Sequence, residues 1–213
     1  TMTTQIRCLI SAGPTREWID PVRFISNPSS GKMGYALAEE AVSRGFEVYL
    51  VSGPVSLQPP TGAEVIKVES AQEMQEAMFR LFDQASLVIM AAAVSDHRPS
   101  HCSRQKIKKS DFPNSLELVP NNDVVASLVG GRRPGQTIVG FAAETENLLE
   151  HARQKLEAKD LDWIAANDVS SDEHGFQSDF NDVTLLSKSE ETIPLGRKSK
   201  SEIAKKILDY VWP

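Results

Sequence analysis

Cysteine, positive net charge and long apolar runs are all scarce in this chain of 213 residues. The two cysteines, Cys8 and Cys102, cannot form a disulfide framework and favour a reducing compartment, so we expect a cytoplasmic location. A formal net charge of −6 argues against a dedicated nucleic-acid binder, which usually carries a basic face. No apolar run approaches the roughly 20 residues of a membrane span, and no basic and apolar leader is visible. We therefore expect neither a nucleic acid nor a membrane as partner.

The remaining composition is that of an ordinary globular protein, with 40% hydrophobic and 24% charged residues. A chain of this length can bury a core without cross-links. We expect a single domain over residues 1–213. Met2 resembles a native start, which would make the protein free-standing; the alternative is a domain of a longer, bifunctional chain.

Short apolar runs alternate with segments of helical period along the chain. This alternation predicts an α/β fold: a Rossmann-like, three-layer, doubly wound and mostly parallel sheet with helices on both faces and a small late strand region. Ligands of such sheets bind at the carboxyl ends of the strands. Two stretches interrupt the pattern, a long loop at 14–32 and a polar, basic segment at 95–113 that we expect to be a mobile flap. The predicted strands are 6–11, 46–52, 64–68, 87–94, 137–142, 163–166 and 183–186, and the predicted helices are 34–44, 71–84, 146–159 and a last one from Ser199.

The loop that enters the first predicted helix has the character of a phosphate site. It contains Ser30, Gly31 and Lys32, and exposed N–H groups at a helix start attract anions. It is not a Walker A loop, because Ser26 stands in place of the first glycine and Met33 in place of the Ser/Thr, and no dinucleotide fingerprint is present. The alternative is a Gly/Ser-rich loop that caps an ordinary helix.

Other candidate residues also have two interpretations each. Asp96 follows an apolar strand and either faces a ligand or caps a turn. Lys106, in a run of three lysines among four residues, either closes over a polyphosphate or is solvated. Lys155 and Lys159, one turn apart at the edge of a buried helix face, either bind a triphosphate or extend to solvent. Phe141 either flanks a nucleobase or belongs to the core.

The order of these segments closely resembles that of the phosphopantothenate–cysteine ligases. The resemblance covers nearly the whole chain and is most specific in its opening motif. It is carried by GPTRE (13–17), DPVRFISN (20–27), SSGKMG (29–34), AAAVSD (91–96), KIKK (106–109), GFAAET (140–145), ANDV (166–169) and SDFN (178–181).

The resemblance implies a ligase of coenzyme A biosynthesis. Such an enzyme forms 4′-phosphopantothenoyl-L-cysteine from 4′-phosphopantothenate and L-cysteine with CTP, through an acyl-cytidylate, and releases CMP and pyrophosphate. It further implies Mg²⁺, bound mainly through the nucleotide phosphates with no certain protein ligand, and a homodimer. The alternatives are an ATP-using version of the same ligase and a non-catalytic nucleotide-binding module.

The resemblance also implies residue roles. Asn27 and Lys106 are the implied catalytic residues: Asn27 contacts the activated carboxyl group, where its amide can donate to the oxyanion, and Lys106 reaches the reacting phosphates. Asn27, Arg23 and Ala93 are expected to bind the acyl substrate. Asn122 replaces a usual proline in the nucleotide-binding segment. The implied nucleotide-binding residues are Gly13, Ser30, Gly31, Ala91, Ala92, Asp96, Lys106, Asn121, Asp123, Val124, Phe141, Lys155 and Lys159.

Overall fold

The elements of the chain were located in a computed structural model that describes residues 5–170 and 177–213. The strands are β1 (Arg7–Ala12), β2 (Arg16–Asp20), β3 (Arg23–Ser26), β4 (Glu47–Ser52), β5 (Ala63–Lys67), β6 (Leu87–Met90), β7 (His97–Pro99), β8 (Leu118–Pro120), β9 (Thr137–Glu144), β10 (Trp163–Asp168), β11 (Phe180–Ser187) and β12 (Thr192–Ser199). The α-helices are α1 (Lys32–Ser43), α2 (Ala71–Phe82), α3 (Val124–Val129), α4 (Leu148–Ala158) and α5 (Lys200–Val211). None of the helices within these ranges is long and apolar enough to cross a membrane.

One eight-stranded sheet organises the fold, in the order β12-β11-β10-β9-β6-β1-β4-β5. The six strands from β5 to β10 pair in parallel, whereas β11 and β12 are antiparallel. Numbered by appearance, the six parallel strands follow the order 3-2-1-4-5-6 of doubly wound dinucleotide-binding folds. The predicted fold class is confirmed, and the late strand region is the β11–β12 pair.

Helices cover both faces of this sheet and create two hydrophobic cores. Successive side chains of β1 point to opposite faces of the sheet. Cys8 and Ile10 belong to the core under α1 and α5, and Leu9 belongs to the core under α2, α3 and α4. Leu37 of α1 and Met78 of α2 are fully buried in the two cores. Because the central strands are covered on both sides, their sequences are apolar at nearly every position.

The predicted capping box of the last helix is confirmed. Ser199 accepts a hydrogen bond from the backbone N–H of Glu202 at 3.2 Å, and the Glu202 carboxylate accepts one from the Ser199 N–H at 3.2 Å. These bonds satisfy donors that a helix start leaves unpaired. They also fix the position of Lys200, the first residue of α5, at the end of β12.

The segment 14–32 is not a simple loop, and this prediction was wrong. β2 and β3 form an antiparallel hairpin, whose turn is held by Asp20 Oδ1 accepting from the N–H groups of Val22 and Arg23 at 2.9 Å each. The sequence of β2 lacks the alternation of apolar and polar residues that marks a hairpin strand, because two of the residues that the hairpin buries, Glu17 and Asp20, are charged. The segment 95–113 also contains secondary structure, since β7 pairs with β8 and a 3₁₀ turn spans Lys109–Asp111; its mobility stays a prediction.

Candidate functional site

A cavity of about 550 Å³ lies at the carboxyl ends of the parallel strands, where the doubly wound topology predicts a ligand. Its volume is within the range of small-molecule sites. Most of the candidate residues predicted from the sequence line it: Asn27, Ser30, Gly31, Ala91, Ala92, Ala93, Asp96, Asn121, Asp123, Val124, Phe141, Lys155 and Lys159.

The phosphate loop of this cavity depends on Gly31. This residue caps the N-terminus of α1 with φ of +78°, a conformation that L side chains rarely adopt. A Cβ there would also come within 2.7 Å of Val55 Cγ1. Gly13 lies directly behind it, 3.4 Å from that Cβ position, so Gly13 supports the loop without lining the cavity.

Gly34 brings the start of α1 against the end of β1. A Cβ on Gly34 would lie 2.4 Å from the Cβ of Ala12, so a larger residue would push the helix away from the strand. The close approach aims the N-terminal N–H groups of α1 across the ends of the strands. Those groups and the helix dipole favour a bound anion.

Asn27 lies at the wall of the cavity with a fixed amide. Its Nδ2 donates to the carbonyl oxygens of Ala93 and Val94 at 3.2 and 3.3 Å. In this arrangement the NH₂ end of the amide faces the backbone. Both of these bonds use Nδ2, and the role of the amide at the oxyanion, expected from the sequence, stays a prediction.

A network of buried polar groups behind the cavity holds its segments together. Thr15 Oγ1 accepts from the Ser95 N–H at 3.0 Å, and Asn121 Nδ2 donates to the Ser95 carbonyl at 2.8 Å. The buried Glu17 carboxylate accepts from the Ala71 N–H at 2.9 Å. Burial raises the pKa of Glu17, while this bond and those from Thr15 and Asn121 act in the opposite direction. The GPTRE motif (13–17) does not line the cavity but holds cavity residues such as Ser95 in position through these hydrogen bonds.

Each lysine on the α4 side of the cavity has a carboxylate partner. Lys155 Nζ lies 2.8 Å from Glu144 Oε1, and Lys159 Nζ lies 2.9 Å from Asp123 Oδ2. The hydrogen bond from Lys155 is the main reason that the pKa of Glu144 is lowered. The positive charge of this lysine pair is therefore compensated before any ligand arrives.

Lys106 and Arg23 lie outside the cavity. Lys106 is exposed, and the flap next to it is tied to the β2–β3 hairpin: the Ile107 N–H donates to Asp20 Oδ2 at 3.1 Å. Arg23 pairs with Asp20 and donates to the Ile107 carbonyl at 3.3 Å, and its guanidinium stacks on Phe112 at 4.6 Å. Lys106 does not line the cavity, so its expected contact with the reacting phosphates stays a prediction.

Removing the charge of Asp20 should loosen the flap. Burial raises the pKa of this carboxyl, but bonds from the backbone and from Arg23 outweigh burial and hold the pKa below its usual range. We expect Asp20→Asn to be cleaved by trypsin within the flap several-fold faster than the wild type, because local opening governs proteolysis. Asp111→Asn, an exposed carboxylate in the same flap, is the control. Equal cleavage of all three proteins would show that Asp20 does not hold the flap.

Lys32, a member of the predicted phosphate loop, also lines the cavity, as do Asn167, Asn181 and Lys200, for which the sequence predicted no individual role. The Oδ1 atoms of Asn167 and Asn181 are buried and have no hydrogen-bond partner among the described residues. A polar side chain at an inward-facing strand position was the available signal. It was hidden because the face of each strand depends on the tertiary fold.

Carboxylates and other metal-binding side chains are dispersed around the cavity. Within the described ranges, no three His, Cys, Asp or Glu side chains lie close enough together to hold a metal ion.

Both the sequence and the fold have counterparts among known proteins. Residues 3–213 match the family described as the DNA/pantothenate metabolism flavoprotein C-terminal domain. The chain is 48% identical over 204 residues to the coenzyme A biosynthesis bifunctional protein CoaBC of Bacillus subtilis (strain 168), which covers 95% of this chain and 50% of that protein. It thus spans about half the length of the curated relatives it matches.

Solved structures agree with this match. The crystal structure of the C-terminal domain of a CoaBC protein has a TM-score of 0.81 at 43% identity, covering 98% of this chain and 95% of that one. A mutant of Cab2 in complex with phosphopantothenate-cysteine has a TM-score of 0.76 at 18% identity, covering 97% and 85%. At that identity the second likeness bears on the fold alone.

Proposed function

Since the chain belongs to the family of the DNA/pantothenate metabolism flavoprotein C-terminal domain, we propose that it is a phosphopantothenate–cysteine ligase that uses CTP. The observation that carries the proposal is the cavity at the carboxyl edge of the sheet, which combines Asn27, the phosphate loop at 29–34 and the lysine pair Lys155 and Lys159. The 43% identity to the C-terminal domain of a CoaBC protein, a coenzyme A biosynthesis protein by name, supports the same assignment.

The first half-reaction activates a carboxylate, which is by itself a poor acylating agent. The carboxylate oxygen of 4′-phosphopantothenate attacks the α-phosphorus of CTP, and the electron pair of the broken P–O bond leaves with pyrophosphate. Several negative charges meet at this step, and fixed positive groups lower its barrier. Lys32 and the N-terminus of α1 face this charge from one side of the cavity, and Lys155 and Lys159 face it from the other. Mg²⁺, when bound to the nucleotide phosphates, would neutralise part of the same charge.

In the second half-reaction the amine nitrogen of cysteine attacks the acyl carbon and loses a proton. The bond from that carbon to the nucleotide oxygen breaks, and its electron pair leaves with CMP. Asn27 suits this step because its amide plane is fixed by the carbonyls of Ala93 and Val94. Its Oδ1 can accept a hydrogen bond from the attacking amine and orient it. Nδ2 can donate to the developing oxyanion only by giving up one of its two backbone acceptors. Closure of the flap, with Lys106, would protect the intermediate from water.

A homodimer is part of this proposal. The β2–β3 hairpin exposes Val22 and Phe24, which flank Arg23. Exposed apolar side chains on a projecting hairpin are suited to contact a second copy. Arg23 lies outside the cavity of its own chain, and a second copy packed on the hairpin would place it near another subunit's site.

Turnover of the complete substrate mixture tests the proposed function. The purified protein would be incubated with 4′-phosphopantothenate, L-cysteine, Mg²⁺ and either CTP or ATP, and pyrophosphate and nucleoside monophosphate would be measured. We expect both products, dependent on both substrates and formed faster with CTP. Faster turnover with ATP would replace CTP by ATP as the preferred nucleotide and leave the ligase assignment unchanged. A folded protein that binds nucleotide but turns over neither mixture would instead be a non-catalytic binding module.

A further inference from the structure

The buried polar side-chain atoms that lack a partner are concentrated at the cavity. Among the described residues they are Ser95 Oγ, Asn167 Oδ1 and Asn181 Oδ1, and all three residues line it. Asn167 is 6% exposed and Asn181 is 3% exposed. The two asparagines come from ANDV (166–169) and SDFN (178–181), motifs to which the resemblance assigned no residue role. A buried acceptor without a donor is costly, and a ligand that supplies the donor removes the cost.

The two asparagines lie close together on one face of the sheet. Asn167 of β10 pairs with Val183 of β11, and Asn181 lies two residues before Val183. Paired residues and residues two apart on a strand share a face. Both amides therefore face the layer of α1 and α5, to whose core Val183 belongs. One donor group between them can bond to both oxygens.

A cation borders the same amides. Lys32 lines the cavity, and its Nζ donates to the Gln177 carbonyl at 3.3 Å and pairs with Asp179 at 2.6 Å, two residues before Asn181. The Asp179 side chain is 77% exposed, and water weakens such a pair. A carboxylate carried by a ligand can therefore compete for Lys32.

This combination of groups matches the backbone of a free amino acid. An ionised phosphate or carboxylate has no hydrogen to donate to the amide oxygens. The amino group of a nucleobase has no negative charge beside it for Lys32. An α-amino acid carries its amine and its carboxylate on one carbon, and of the three proposed substrates cysteine is the amino acid.

The amides are also at a suitable distance from Asn27, which donates to the Ala93 carbonyl. Ala93 and Ala143 each lie three residues beyond the last pair of β6 and β9, and Ala143 pairs with Asn167 of β10. Ala93 and Asn167 are thus level along the strands and two strand spacings, about 10 Å, apart. An interval of that size holds one small amino acid between the side chains of Asn27 and Asn167.

We propose that Asn167, Asn181 and Lys32 form the subsite for the cysteine substrate. The inference rests on the proposed function. The amide oxygens accept N–H bonds of the amine and Lys32 pairs with the carboxylate, which holds the amine nitrogen toward Asn27. Lys32 faces the phosphates of CTP in the first half-reaction, so it becomes available for cysteine once pyrophosphate has left.

Steady-state kinetics of Asn181→Leu tests the proposal. Leucine has nearly the same shape but cannot accept a hydrogen bond. We expect the KM for L-cysteine to rise at least about tenfold, the effect of losing a hydrogen bond to a charged group. The KM for CTP and the rate of acyl-nucleotide formation without cysteine should stay within about twofold. Tm should not fall, because the lost amide oxygen has no partner in the free protein.

The matched control is Asn114→Leu, at an exposed position outside the cavity, which should keep all wild-type constants. Asn167→Leu covers the case in which Asn181→Leu fails to fold, since it removes the other acceptor from a neighbouring strand and should raise the same KM. Unfolding of both variants would show that the amides serve the fold and would overturn the proposal.

The remaining outcomes separate the subsite from the proposed function. An unchanged KM for cysteine in folded variants of an active enzyme would refute the subsite alone. A rise confined to the KM for CTP or for 4′-phosphopantothenate would assign the two amides to that substrate instead. A wild type that forms no product from any mixture would refute the ligase assignment and the subsite with it.

Discussion

Asn27→Asp should still release pyrophosphate from CTP and 4′-phosphopantothenate while amide formation slows by roughly 10²–10³-fold, the cost of losing one fixed polar group at a reacting carbonyl. The acyl-nucleotide should therefore accumulate. In the wild type, Nδ2 is held between the carbonyls of Ala93 and Val94. A carboxylate in its place is repelled by both oxygens and turns away from the orientation that receives the amine. Rapid quench followed by chromatography would measure the acyl-nucleotide directly.

The control for this experiment is Asn114→Asp, which introduces the same charge at an exposed position outside the cavity. It should form product at the wild-type rate. If Asn27→Asp also forms product at that rate, Asn27 has no role in transfer. If the variant releases no pyrophosphate, Asn27 is needed for activation of the carboxylate, and its assignment to the acyl-transfer step is wrong.

Gly53→Ala should destabilise the protein by about 3 kcal/mol, at the upper end of overpacking effects. A Cβ at this position would lie 1.7 Å from the Pro14 carbonyl oxygen, which is backbone and cannot rotate away. Retreat of the 13–15 loop is opposed by the Ala93 N–H, which donates to the Gly13 carbonyl at 2.9 Å. For a chain of this size we expect Tm to fall by roughly 6–12 °C. Differential scanning calorimetry would measure the change.

The matched control is Gly131→Ala. Its nearest neighbour would be the Leu128 carbonyl at 3.6 Å, an ordinary contact, and its backbone is not left-handed. We expect its Tm to stay within a few degrees of the wild type. Equal Tm values for both variants would mean that the 13–15 loop moves without cost. The 13–15 loop would then be too flexible to hold the phosphate loop at 29–34 in position.

The parts of the fold that the sequence predicted are those with a repeating apolar pattern. β1, β4 and β6 lie between two helical layers, and their runs of buried residues identify them without tertiary information. β12 was missed because it carries Pro194 and Gly196, which an edge strand tolerates and a central strand does not. α3 was missed because its six residues are too few to show a period.

The candidate site was predictable to the extent that its residues follow strands in the chain. The small residues after β6 and the loop before α1 could be placed at the carboxyl edge by topology alone. Lys200 could not, because it follows the antiparallel β12 and reaches the cavity only through the packing of α5 on α1. The docking of Arg23 on Asp20 was equally hidden, since it depends on the turn geometry of an unpredicted hairpin.

The cavity is bordered by residues from both hydrophobic cores. Phe141 packs against the core under α1 and α5, whereas the adjacent Ala142 belongs to the other core, and both line the cavity. Helical residues of both layers also line the cavity, Lys32 and Lys200 on one side and Val124 and Lys155 on the other. A ligand seated there therefore lies against both layers, and loosening either layer weakens binding. By thermodynamic linkage, binding must then resist the separate opening of each layer. A ligand bound in the cavity would thus make thermal unfolding of the protein more cooperative and would also raise its Tm.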